Sequence, residues 1–276
     1  APRSSGPETR PPRATASTDD PWANMPRHPE HTDHAGLYRE TLDTGHDVTQ
    51  ACLSCHPDSA QEVMATQHWT WESGPYEMEG HDEPVYGGKA NLINNFCIGI
   101  NGNEPPCTAC HIGYGWEDDT FDFAEEQNVD CLACHDNSGL YVKASAGYPA
   151  ESVDLQAAAE SVGNPTRDNC GSCHFKGGGG DAVKHGDLDN SLLHPSDELD
   201  VHMGKHDFVC TDCHRTEYHD IAGQSITVSM DDENQVYCTD CHNDVPHADD
   251  RLNDHTAAVA CQTCHIPEGA KRDATK

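Results

Sequence analysis

The chain has 276 residues, with 48 Asp and Glu against 16 Lys and Arg and a formal charge of −32 at neutral pH. That balance excludes nucleic acid and anionic membrane surfaces as partners, and no apolar run approaches the ~18 residues of a membrane span. With 35% apolar and 6% aromatic residues, the length permits one or two domains but only a thin conventional core.

Residues 1–30 are rich in Pro, Ser, Thr, Arg and Asp without an apolar period, which predicts an extended Pro-rich arm and not a domain. Such an arm packs along its own subunit or docks on a neighbour. The second unit is 31–276. From Asp47 the spacing of Val48, Ala51, Cys52, Cys55, Ala60, Val63 and Met64 predicts helix, interrupted at Pro57 and ending at His68, before Trp69-Thr70-Trp71. Residues 72–106 read as a long loop rich in Gly, Asn and Pro, hence functional or disordered. It contains Asn94-Asn95-Phe96-Cys97. Ser152 to Val162 reads as a helix with Val153, Leu155, Ala158, Ala159 and Val162 on its apolar side. Gly177 to Gly180 let the backbone approach something flat or large, and no Walker pattern accompanies them. Asp187-Leu188-Asp189-Asn190-Ser191 offers oxygen ligands for calcium, and Ser225 to Met230 reads as a short strand.

One pentapeptide recurs seven times. It pairs Cys52 and Cys55 with His56, Cys107 and Cys110 with His111, Cys131 and Cys134 with His135, and Cys170 and Cys173 with His174. Three further copies pair Cys210 and Cys213 with His214, Cys238 and Cys241 with His242, and Cys261 and Cys264 with His265. Cys-x-x-Cys-His is the attachment signature of c-type haem: two thiols add across the porphyrin vinyls and the following imidazole reaches the iron. Zinc needs no His after every second Cys, and a disulfide framework would not arrange its cysteines in identical pairs. The expected fold class is a multihaem cytochrome c, mostly α and irregular loop with little sheet. Seven covalent haem c groups would form its interior and contribute ligation energy to folding. Such haem is attached outside the cytoplasmic membrane, so the start at Ala1 reads as a mature end with the signal peptide removed, in the periplasm or outside the cell.

Six-coordinate irons need second ligands. Five methionines are too few for seven irons, whereas thirteen of the twenty histidines lie outside the motifs, so bis-His ligation with low potentials is expected. His28, His31, His34 and His46 cluster near the start of the unit, and His68 adjoins two tryptophans. His202, His206, His219, His247 and His255 interleave with the last three motifs, and Lys184 beside His185 aims an amine and an imidazole at two irons. Cys97, outside every motif, is a reactive thiol, an intermolecular bond or an inert buried thiol.

Trp69-Thr70-Trp71, Asn94 to Cys97, Gly113 to Trp116, Gly177 to Asp189, Asp200 to Met203 and Cys261 to Pro267 together resemble the octahaem tetrathionate reductase cytochromes, over about His31 to the end. The resemblance implies one special haem, here on Cys107 and Cys110 with His111. Lys184 would be its distal ligand, Asn94 and Cys97 would line its cleft, and Lys276 would be a second lysine there. The family carries an eighth haem in a C-terminal region that is not in this sequence. Distal candidates His34, His68, His185, His202, His219, His247 and His255 with Lys184 make eight ligands for seven irons, leaving one for a haem in a neighbouring subunit. Two functions follow. The favoured one is an electron conduit that serves redox partner proteins or a terminal acceptor and self-associates through the arm or a shared ligand, as far as a filament. The alternative is a reductase of tetrathionate, nitrite or hydroxylamine at the Cys107/Cys110 haem.

Overall fold

Short helices, none longer than nine residues among the described residues, carry most of the architecture. The computed structural model describes residues 31–94, 96–177, 179–181, 183, 188–223 and 234–265. The arm, Asn95, Lys184, His185, the strand expected at 225–230 and Lys276 lie outside the described residues.

Helix α1 (Gly45–Leu53) is started by a reciprocal cap: the Asp47 N–H donates to the Thr44 hydroxyl and the Thr44 N–H to the Asp47 carboxylate, at 3.2 and 2.8 Å. The helix predicted to run to His68 is present in three pieces, α1, α2 (Ser59–Met64) and α3 (Gln67–Thr70). Pro57 lies in the first break, as expected, and the second is closed by the Thr66 hydroxyl donating to the Val63 carbonyl.

The stretch 72–106 is not a continuous loop. It holds β1 (Ser73–Tyr76) paired antiparallel with β2 (Val85–Gly87), then helix α4 (Glu104–Cys107). Gly74 and Pro75 inside β1 conceal a strand from any reading by propensity. Next come α5 (Leu132–His135), α6 (Leu155–Glu160) and α7 (Arg167–His174). Helix α6 is shorter than the predicted Ser152–Val162 because the Asp154 carboxylate caps it at the Ala157 N–H. Then follow α8 (Val201–Lys205), α9 (Cys210–Cys213), a hairpin of β3 (Thr216–Glu217) and β4 (Asp220–Ile221), α10 (Asp250–Thr256) and α11 (Gln262–His265). Arg167 ties α7 to the following segment, donating to the carbonyls of Leu193, Met203 and Phe208 at 2.6–3.1 Å.

No single core forms among the described residues. Four small clusters do, centred on Leu132 with Val48, Trp69 with Val129, Trp71 with Ile100 and Trp116, and Phe175 with Leu192. Motif cysteines Cys52, Cys131 and Cys107 border the first three. Beneath them, the buried Asp130 carboxylate accepts from Tyr114 Oη at 3.0 Å, Tyr141 Oη at 2.8 Å and the Ala133 N–H at 3.2 Å, and forms a close ion pair with Lys143. Burial, then the Asp130 charge, pushes both tyrosines well above the usual phenol range, so both remain donors.

Candidate haem-attachment sites and their ligands

Each motif is one helical turn. The imidazole-bearing residue returns its N–H to the first cysteine's carbonyl in five copies: His56 to Cys52, His135 to Cys131, His214 to Cys210, His242 to Cys238 and His265 to Cys261, at 2.9–3.1 Å. The sixth, Cys170 to His174, ends α7. In the seventh the turn tightens to 3-10 over Thr108–Cys110, and the His111 N–H bonds to the Thr108 carbonyl at 2.8 Å. Positions i, i+3 and i+4 of such a turn share one face, so both thiols and the imidazole are presented together. All fifteen cysteines are unpaired.

Five motif histidines face a second histidine from outside the motifs. Ring centroids are 6.5 Å apart for His56 and His34, 6.4 Å for His135 and His219, 6.1 Å for His174 and His68, 6.0 Å for His242 and His202, and 5.7 Å for His265 and His247. An ion held between two imidazoles by metal–nitrogen bonds of about 2 Å would separate the centroids by about 6 Å. The pairs therefore fit an iron between them. The outer nitrogens agree: Nδ1 of His34 donates to the Thr32 carbonyl, Nδ1 of His135 to Gly163 and Nδ1 of His214 to Ala222, at 2.7–2.9 Å, and Nδ1 of His219 to Glu62 Oε2 at 2.7 Å. Anchoring Nδ1 fixes the tautomer that leaves Nε2 free for a metal. Burial also lowers the pKa of His68 and His135, favouring the neutral ring that ligation requires.

His111 differs. It is fully buried in a box of Trp69, Trp71, Trp116, Phe121 and Phe123, with centroids at 4.8–6.2 Å. Its Nε2 donates to the Trp69 carbonyl at 2.7 Å, while Nδ1 is buried without a partner. Burial pushes its pKa down to about 3. His111 thus has a carbonyl where five other motif histidines have an imidazole. Trp69 and Trp71, next to His68 in sequence, wall His111. Lys89 rests its ammonium 3.8 Å over the Trp71 ring.

Cysteines of different motifs lie close together. Cys131 lies near Cys52, Cys173 near Cys110, Cys170 near Cys210 and Cys238 near Cys261. Cys134 lies in the field of Cys173, and Cys213 in that of Cys241. Every attachment motif is linked to another, and the links join all seven.

The model for cytochrome c7 and related cytochrome c matches residues 196–266, which hold the last three motifs. The crystal structure of an octaheme cytochrome c from Shewanella oneidensis is similar over 88% of this chain, with a TM-score of 0.76 and 48% identity. The chain is a multihaem c-type cytochrome. It spans 55% of the length of the Shewanella cytochrome. An uncharacterized protein of Archaeoglobus fulgidus is 27% identical, over 70% of this cytochrome and 82% of the relative.

Of the other residues singled out from the sequence, Asn94 and Cys97 share a tight turn in which the Cys97 N–H donates to the Asn94 carbonyl at 2.8 Å and Cys97 takes φ +61°. Cys97 is exposed, whereas Nδ2 of Asn94 is buried without a partner. Phe96 of this turn and Val183 both approach Gly179. His46 Nε2 donates to Asn128 Oδ1 at 3.0 Å and its ring leans on Tyr114, with no motif imidazole beside it among the described residues. His255 is exposed on α10, with no motif imidazole beside it among the described residues. In the stretch proposed for calcium, the Asp189 carboxylate is engaged by Ser191, and Asn190 donates to Asp181. No group of three or more metal-binding side chains converges among the described residues. Glu62, Lys89 and the Asp130–Lys143 pair were not foreseen, because each acts on residues remote in sequence. No helix of the cytochrome's described residues is long and apolar enough to cross a membrane.

Proposed function

We propose that this cytochrome conducts electrons outside the cytoplasm along a connected array of seven covalently bound haems. The observation that carries the reading is the nearness of cysteines from different motifs, which leaves no attachment site isolated. Haem c supplies a one-electron iron couple, and bis-His ligation sets it low. The chain's part is to hold imidazoles at fixed spacing: His34 against His56, His219 against His135, His68 against His174, His202 against His242 and His247 against His265. His185 is the candidate opposite His214, and Lys184 opposite His111. His255 is then left over for a haem outside this set, which makes self-association through a shared ligand a natural extension.

One observation favours a second reading, reduction of a small substrate beside the Cys107/Cys110 site. The unpartnered Asn94 amide and the exposed Cys97 thiol share one turn, and Phe96 of that turn approaches Gly179 as Val183 does. Protein-film voltammetry of the holoprotein separates the two. Conduction predicts that seven electrons per chain exchange through one adsorbed orientation and that tetrathionate, nitrite and hydroxylamine leave the signal unchanged. A catalytic current abolished by Cys97→Ala or Lys184→Ala would favour the reductase, and a charge well below seven electrons would break the array.

A further inference from the structure

Among the described residues, the β3–β4 hairpin is the least comfortable piece of backbone beside a motif. Its two turn residues, Tyr218 and His219, have φ of +50° and +63°. A two-residue hairpin loop of this hand favours Gly, Asn or Asp, because a side chain with a full Cβ crowds the backbone when φ is positive. Tyr218 gains little in return, being 75% exposed. Residues persist in such a conformation only when their surroundings hold them there. His219 is the residue that is held. Its ring lies 6.4 Å from His135, and its Nδ1 donates to Glu62 Oε2 at 2.7 Å.

Glu62 comes from α2, 157 residues earlier in the chain. It is a different kind of anchor from the others. His34, His135 and His214 donate to neutral carbonyls, of Thr32, Gly163 and Ala222. Among the described residues, the nearest other carboxylate to a paired histidine is Asp200, 3.9 Å from Nδ1 of His202 and so beyond hydrogen-bonding distance. A carboxylate on Nδ1–H both fixes the ring and makes the opposite nitrogen a stronger donor. The Glu62 and His219 side chains are 28% and 34% exposed, so the charge is only partly screened.

We infer that Glu62 is a positioning residue for the Cys131/Cys134 haem: it holds His219 in its strained turn opposite His135 and lowers that haem's potential relative to its carbonyl-anchored neighbours. The inference rests on the reading of His219 and His135 as an axial pair. A stronger donor stabilises the ferric state, so this site would be the one that gives up its electron most readily.

The test uses holoprotein carrying Glu62→Gln, Glu62→Ala or His219→Ala, each with haem content matched to the parent, followed by redox titration and by low-temperature electron paramagnetic resonance. Glu62→Gln keeps an acceptor for Nδ1–H but removes the charge, so one low-potential component should move up while all haems stay low-spin. Glu62→Ala should move it further and convert part of one haem to high-spin, with added imidazole restoring the low-spin signal. Unchanged potentials in both Glu62 variants would overturn the role of Glu62. His219→Ala separates the two layers. One new high-spin haem in that variant upholds the axial pair, even if Glu62 proves inert. No change there removes the pair, and the inference with it.

Discussion

Replacing Asp130 with Asn takes the only negative charge from a site where little water can compensate. The Asp130 side chain is fully buried and Lys143 is 8% exposed. After the substitution, the Lys143 ammonium is left with neutral partners, the new amide, the Gly113 carbonyl at 3.5 Å and the Tyr114 ring at 5.3 Å. Breaking a buried pair from one side typically costs about 3–5 kcal/mol, because a charge is left without its partner. The Tyr114 and Tyr141 hydroxyls donate to different oxygens of Asp130, so the single amide oxygen of Asn keeps one of the two bonds and the other hydroxyl faces an NH2 group, which adds to the loss. Guanidinium unfolding of the holoprotein, followed by far-ultraviolet circular dichroism, should show a midpoint lowered accordingly. Lys143→Met alone should also destabilise. The double variant should be markedly more stable than the sum of the two changes, since removing both charges leaves nothing unpaired. Strictly additive losses, or an Asp130→Asn protein as stable as the parent, would refute the burial argument.

Gly147 has φ +79°, and a Cβ there would lie 2.1 Å from the Gly113 carbonyl oxygen, so Gly147→Ala should cost at least the ~1–2 kcal/mol of the left-handed conformation in the same unfolding assay. His68→Ala should create one high-spin haem by electron paramagnetic resonance, whereas His46→Ala, on a ring that bonds Asn128, should create none. Lys89→Met removes a positive charge close to Cys107 and Cys110, and a redox titration should show one component falling. Protein made without haem attachment should lose most of its helical dichroism, because four small clusters replace a continuous core.

The attachment turns were legible because they are local: five consecutive residues state their own chemistry. The helix from Asp47 was legible for the same reason, with Pro57 marking its first break. The partners of the turns were not. His219 reaches His135 across 84 positions and His68 reaches His174 across 106, and neither separation leaves a pattern in the intervening residues. Nearness in sequence was a fair guide for His247, 18 residues before His265, but not for His255, which lies nearer still and faces no motif imidazole among the described residues. The β1–β2 hairpin was hidden by the glycine and proline inside its first strand. Buried pairs such as Lys143 with Asp130 read in sequence as ordinary surface charges, since only tertiary packing decides which charges lose their water.

The central claim is tested most directly by counting spin states in the fully oxidised holoprotein. Near-infrared magnetic circular dichroism, combined with electron paramagnetic resonance and a chemical haem assay, gives haems per chain and axial ligands together. The account predicts seven haem c groups, with at least five carrying the signature of two histidines. Fewer haems than motifs, or high-spin iron at any of the five paired sites, would contradict it.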